Sequence, residues 1–326
     1  MTRRTRPKTA ATVRSARIAR VVRIVTLLTA LSLGGCVSLR PFEEILRERP
    51  AAEFVDVGGQ AVHVLDRGAK DAPVLVLLHG FGASSASWRK LSPQLEPTLR
   101  TLAIDMNAFG YTERTLNPDS YTLDGQAALV IGVLDALGIE RAHLAGHSYG
   151  GGVAQWIASR HPERVNKLIL IDSTSPIYAG KRRSRGASLR PVAGLFLRLV
   201  ALRPSFIRRG LEGTFFDKSL VTDEMVKLYL DPLKTEGSPF AYRAISKPNP
   251  NEPRTFDPSQ LRQPTLAIWG ANDTLISVEA AKEVAGTIPD LRFVVLPECG
   301  HNPHEEKPDE TAREILDFLA TAPNRP

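Results

Sequence analysis

Cysteine is scarce in this chain: 326 residues hold only Cys36 and Cys299, too few for a small fold stapled by disulfides. Long apolar runs are missing as well. The most apolar stretch near the N-terminus, residues 24–33, reaches across about half of a bilayer's hydrocarbon core, so neither a multi-span protein nor a simple transmembrane helix is expected. The seven histidines (63, 79, 143, 147, 161, 301 and 304) are scattered, and no H-E-x-x-H or cysteine cluster accompanies them. No metal is expected on that pattern. No glycine-rich dinucleotide fingerprint follows the first strands, so no cofactor is expected either. Internal repeats and low-complexity tracts are absent. The last absence is local: residues 1–35 contain no Asp or Glu, yet they carry Arg3, Arg4, Arg6, Lys8, Arg14, Arg17, Arg20 and Arg23.

That local imbalance explains the formal net charge of +7, which on its own would suggest nucleic acid or an anionic surface as partner. A basic segment, a short apolar segment and small residues before a cleavage point describe an export signal. Leu33-Gly34-Gly35-Cys36 resembles the lipobox of bacterial lipoproteins. The resemblance implies cleavage before Cys36, lipidation of that cysteine, and an exported protein lipid-anchored to a bacterial membrane. Val37 rather than Asp after the cysteine favours the outer membrane or cell surface. Loss of residues 1–35 removes eight of the 42 Lys+Arg and none of the 35 Asp+Glu, leaving a mature chain near −1. Nucleic acid is then not expected as a partner. With Cys36 lipidated, Cys299 has no intramolecular partner.

Residues 36–50 read as a polar, charged tether. From residue 51 strands and helices alternate. A hairpin is expected around Gly58-Gly59. Residues 73–79 (PVLVLLH) form a near-continuous apolar run, as a strand buried on both faces requires. Residues 84–95 fit a helix, 99–104 a strand, and 123–137 a long helix stopped by Gly138. Further strands are expected at 142–146, 167–172, 265–269 and 291–296. The last helix, about 309–321, places Ala312, Ile315, Leu316 and Leu319 on one face. This order predicts an α/β fold with a mainly parallel sheet covered by helices on both faces. Residues 176–255 interrupt it with no clear strand and 15 Lys+Arg against 7 Asp+Glu, which reads as an inserted helical cap. The core is then 51–175 plus 256–326. Within the cap, residues 188–211 mix apolar residues with arginine, a pattern for an ordinary lid or for a lid that also lies on an anionic membrane.

The chemistry centres on Gly146-His147-Ser148-Tyr149-Gly150. A serine on a tight strand-to-helix turn has its hydroxyl pushed out above the sheet, and flanking glycines relieve the crowding. The hydroxyl needs a base; His301, just after the last strand, is the candidate and His304 its competitor. The base needs an acid to fix its tautomer; Asp273 is the candidate, Asp172 the alternative. Oxyanion donors are expected from the amides of Tyr149 and Phe81, the latter in the loop His79-Gly80-Phe81-Gly82. His79 itself reads as a brace of that loop. Trp88, Trp156 and Trp269 read as core anchors.

Taken with residues 105–112 (DMNAFGYT), Trp269-Gly270-Ala271-Asn272-Asp273 and Gly300-His301, these pieces resemble the α/β-hydrolase superfamily over about residues 51–322. The family more often has a small or charged residue where Asn107-Ala108 stand. The resemblance implies the α/β-hydrolase fold and the triad Ser148, Asp273, His301. Serine rather than aspartate at the nucleophile position disfavours dehalogenase and epoxide hydrolase chemistry. The leading expectation is a serine carboxylic ester hydrolase, esterase- or lipase-like, acting on a small apolar ester or acyl substrate through an acyl-enzyme on Ser148. The alternatives are a C–C bond, amide or thioester hydrolase on the same triad, and a non-catalytic surface lipoprotein that uses the fold as a binding module.

Overall fold

The computed structural model describes residues 38–176, 202–246 and 256–321. The stretch read as an export signal and Cys36 lie outside these residues, as do residues 177–201 and 247–255 of the stretch read as a cap.

The eight strands are β1 (Phe54–Val57), β2 (Gln60–Arg67), β3 (Val74–Leu78), β4 (Arg100–Ile104), β5 (Ala142–His147), β6 (Val165–Ile171), β7 (Thr265–Gly270) and β8 (Leu291–Leu296). They form one sheet in the order β1-β2-β4-β3-β5-β6-β7-β8. β1 and β2 pair antiparallel through the Gly58-Gly59 turn, and β2 is antiparallel to β4. Both glycines have positive φ, 61° and 88°, as a tight hairpin turn demands. Every other pairing is parallel. β3 therefore stands between β4 and β5, where the chain reverses its direction of travel across the sheet. In open parallel sheets such a point opens a crevice above the strand ends.

Alternation along the strands divides the core into two layers. Val76 and Leu78 of β3 join one buried cluster with Leu144 of β5 and helices α2 (Leu123–Ala136) and α3 (Tyr149–Arg160), which follow α1 (Phe42–Glu48) in the chain. Leu75 and Leu77 join the other, with Trp88, Leu91 and Ile315. Trp88, Trp156 and Trp269 are all buried, as expected of core anchors. Thr122 caps α2 by accepting from the Gly125 amide at 3.0 Å.

Two local readings change. The helix expected over 84–95 is broken into a 3-10 turn at Ser85–Trp88 and one helical turn at Ser92–Leu95. Pro93 offers no amide to the Arg89 carbonyl, so one α-helical ladder cannot run through the whole stretch. Within the stretch read as a tether, α1 forms and buries Ile45. Phe42 meets Phe54 edge-on at 6.1 Å. Just before α1, Arg40 pairs with the segment leading into the last described cap helix: its amide donates to Lys234 O at 2.7 Å, and its carbonyl accepts from Glu236 N at 2.9 Å.

Between β6 and β7 the described residues hold helices α4 (Pro204–Glu212), α5 (Asp223–Leu230) and α6 (Ser238–Ile245) and no strand. Leu211, Phe215, Val221, Met225 and Val226 pack as a small core of their own. A helix α7 (Val278–Ala285) precedes β8, and α8 (Pro308–Ala320) closes the described chain. No helix among the described residues is long and apolar enough to cross a membrane.

Candidate active site

Ser148 sits at the junction of β5 and α3 with φ 49° and ψ −115°, a conformation that costs a side-chain-bearing residue of order 1–3 kcal/mol. Its surroundings hold it there. The Ser148 amide donates to Ile171 O at 3.0 Å, and its carbonyl accepts from Gly151 N and Thr174 N at 3.0 Å. The glycines beside it are required by contact as well as by the turn. A Cβ on Gly146 would lie 2.3 Å from Gly150 O, and one on Gly150 would lie 2.2 Å from Leu78 O.

His301 lies in the loop between β8 and the helical turn Pro303–Glu306. Its Nδ1 donates to Asp273 Oδ2 at 2.8 Å. Asp273, in the loop after β7, also accepts two backbone amides on Oδ1, from Leu275 at 2.7 Å and Ile276 at 3.1 Å. Burial alone would raise the Asp273 pKa; the hydrogen bond and charge of His301 outweigh it and hold this carboxyl below its usual range. With Nδ1 engaged by a carboxylate, Nε2 is the ring nitrogen left to exchange a proton.

The structure thus brings Asp273 and His301 into direct contact and places Ser148 and His301 on one cavity of about 550 Å³. That volume suits a small-molecule site. Phe81 lines it too, in the loop after β3, which packs so closely on the Ser148 turn that a Cβ on Gly80 would lie 2.7 Å from His147 Nδ1. Phe81 meets Phe109, Tyr149 and Tyr242 edge-on at 5.2, 6.2 and 5.8 Å, an aromatic cluster joining the loop, α3 and cap helix α6.

The alternative candidates sit differently. His304 is fully buried between Trp88 and His147, and burial pushes its pKa well below the ordinary value. His79 is a brace: Nδ1 donates to Gly80 O at 2.8 Å, and Nε2 accepts the Met106 amide at 3.1 Å. The His301 Nδ1 bond goes to Asp273, and Asp172 Oδ1 accepts instead from Gly270 N at 3.1 Å. Asp172, Asp273 and His301 bring their potential ligand atoms within 4.8 Å of one another, a proximity the Asp273–His301 bond already explains.

Three contributors were not legible in the sequence. His147 Nε2 donates to His301 O at 2.7 Å, with its ring held neutral by burial, its pKa lowered to about 3. Glu306 Oε1 accepts from Gly300 N at 2.9 Å, and its Oε2 accepts from Phe216 N at 2.8 Å, tying the histidine loop to the cap. The cap itself supplies Ile207, Leu211, Tyr229, Leu233 and Tyr242 to the cavity wall. The only hint was that a cap exists; which of its side chains turn inward depends on packing.

Residues 73–308 match the family model for the alpha/beta hydrolase fold. The chain belongs to the α/β-hydrolase family. Among curated relatives, this hydrolase is 34% identical over 261 residues to the 2-hydroxymuconate semialdehyde hydrolase of Pseudomonas sp. (strain CF600), covering 76% of the chain and 87% of that protein. Its fold matches the solved meta-cleavage product hydrolase from Pseudomonas fluorescens IP01 with a TM-score of 0.65 and 26% identity, over 82% of this chain and 96% of that one. It also matches a membrane phospholipase A described as a bacterial virulence factor, with a TM-score of 0.64 and 25% identity, over 95% of this chain and 96% of that one.

Proposed function

We propose that this α/β-hydrolase is a serine hydrolase that uses Ser148, His301 and Asp273, and that its substrate is a carbonyl compound with an apolar arm and an anionic end. The observation that carries the reading is the 2.8 Å Asp273–His301 bond on the cavity that the strained Ser148 also lines. In this mechanism His301 takes the Ser148 proton as Oγ attacks the carbonyl. The amides of Phe81 and Tyr149 stabilise the oxyanion, and Asp273 stabilises the imidazolium. Water then completes hydrolysis. The test is labelling by a fluorophosphonate probe. The expected adduct is on Ser148; purified, folded protein that takes no label there overturns the assignment and leaves the binding-module alternative.

For the bond cleaved, a carbon–carbon bond stands first. The relative of 34% identity carries the name of a semialdehyde hydrolase, and the matching solved structure is a meta-cleavage product hydrolase. Arg243 of α6 is the one arginine or lysine among the described residues lining the cavity, and it would pair with the carboxylate of such a substrate. A second reading, cleavage of an acyl ester, rests on the phospholipase likeness, which extends over 95% of the chain where that to the carbon–carbon hydrolase covers 82%. One pair of assays separates them. Turnover of a 2-hydroxy-6-oxo-dienoate with negligible turnover of p-nitrophenyl esters of any chain length supports the first reading. The reverse pattern replaces it with the second.

We also propose that the enzyme works on a bacterial membrane, outer membrane or cell surface, held by lipid on Cys36. Around the cavity, Phe81, Phe206 and Leu275 are exposed, a surface suited to lipid. Cys36→Ser is expected to move the protein from the membrane fraction to the soluble fraction and to abolish metabolic labelling by palmitate; retained labelling would refute the assignment.

A further inference from the structure

The strongest feature outside the triad is Asp172, at the end of β6 and wholly buried. Its backbone is in the left-handed region, φ 39°, and its amide is taken by Ile268 O at 3.0 Å. One carboxyl oxygen, Oδ1, accepts from Gly270 N at 3.1 Å. The other, Oδ2, meets no donor among the described residues. No lysine or arginine pairs with Asp172 there, and the Asp273 carboxylate lies within 4.8 Å, together with the His301 ring. Asp273, by contrast, already receives three donors: two backbone amides and His301 Nδ1. Two neighbouring buried carboxyls cannot both ionise without a cation between them. The well-solvated anion is Asp273, so the proton belongs to Asp172.

We propose that Asp172 is a positioning residue for the hydrolytic reaction: a neutral carboxylic acid whose Oδ2–H donates to the Asp273 carboxylate and so limits how strongly Asp273 stabilises the His301 imidazolium. The remaining groups that face it are Glu306, from the turn after His301, and the Cys299 thiol. Burial raises the Asp172 pKa well above the usual carboxylate range, with Asp273 and Glu306 adding to the effect. Its role in proton economy is not that of an alternative triad acid, because the imidazole is bonded to Asp273. The Asp172 hydrogen bond spreads the Asp273 charge over one more donor.

The proposal rests on the serine-hydrolase reading only for its kinetic arm, and the test separates the two. Infrared difference spectra of full-length wild type minus Asp172→Asn at neutral pH are expected to show the carbonyl stretch of a neutral carboxyl, lost in the variant. Absence of that band overturns the proposal whether or not a substrate is known. In kinetics, Asp172→Asn retains a donor and should leave the acid limb of the kcat/KM profile in place. Asp172→Leu removes the donor and should move that limb to higher pH by about one unit, with KM little changed. A downward movement of the limb in Asp172→Asn would mean that an anion had been removed, and would overturn the proposal. Should Asp172→Leu not fold, the spectra and Asp172→Asn decide alone. Failure of wild type to label at Ser148, with the carboxyl band present, would sink the serine-hydrolase reading and leave the shared proton standing.

Discussion

Ser148→Ala is expected to lower kcat by about 10⁴-fold or more while leaving the thermal unfolding midpoint unchanged. Both halves follow from the geometry. Removing a nucleophile that acts as a unit with its base costs most of the catalytic effect, and what survives comes from oxyanion donors and binding. Stability should not move, because alanine and serine both carry a Cβ at φ 49° and ψ −115° and the turn is held by backbone bonds that neither substitution touches. Ser148→Gly supplies the control. It removes the nucleophile and the steric penalty together, so it should be as inactive as Ser148→Ala yet more stable by about 1–2 kcal/mol. Initial rates and a differential scanning calorimetry trace on the three proteins check this. Turnover by Ser148→Ala within tenfold of wild type would remove Ser148 from the mechanism. A glycine variant no more stable than wild type would remove the claim of stored strain.

The second large effect concerns fold rather than chemistry. Gly150→Ala should destabilise by about 3 kcal/mol, seen as a fall in the unfolding midpoint of roughly 6–12 °C at 2–4 °C per kcal/mol. A Cβ there would lie 2.2 Å from Leu78 O and 2.5 Å from His79 O. Both are backbone atoms at the end of β3, and neither can rotate away. The only relief is to push α3 off the sheet, which would also separate Tyr149 from the loop carrying Phe81. Ala at Gly210, interior to α4 and with nothing within 4 Å of its Cβ, is the matched control and should leave the midpoint unchanged or raise it by up to about 4 °C. Equal behaviour of the two variants would mean that α3 is not pressed against β3 as described.

How far the sequence carried depended on how local each determinant is. The strands were legible because β3, β6 and β7 are buried on both faces, which writes apolar runs directly into the chain. Ser148 was legible because the strained turn demands glycine on either side within five residues. His301 and Asp273 were placed by following strand ends. The helix expected at 84–95 breaks because Pro93, inside it, cannot donate to the Arg89 carbonyl, a local signal that the apolar pattern overrides. Helix α1 was overlooked because a charged surface helix with one buried residue, Ile45, has too little apolar periodicity to stand out from a tether. Asp172 could be named but not assigned. Which of two neighbouring acids is bonded to the imidazole depends on a few ångströms between two loops that the sequence does not relate. The bond type is the hardest to read, since it depends on cap side chains drawn from three helices.

The pairing of Arg40 with residues 234–236 has a mechanical consequence. Cys36 precedes Arg40 by four residues, a reach of about 14 Å at most. If Cys36 is fixed in lipid, tension along the chain is delivered first to the loop entering α6, the helix bearing Tyr242 and Arg243, and only afterwards to the sheet. Thermal agitation of the bilayer would then tug on the wall of the substrate chamber rather than on Ser148 or His301. A chain shortened to begin after Arg40 would cut that line of force and remove the two backbone bonds that tie residues 234–236 to it.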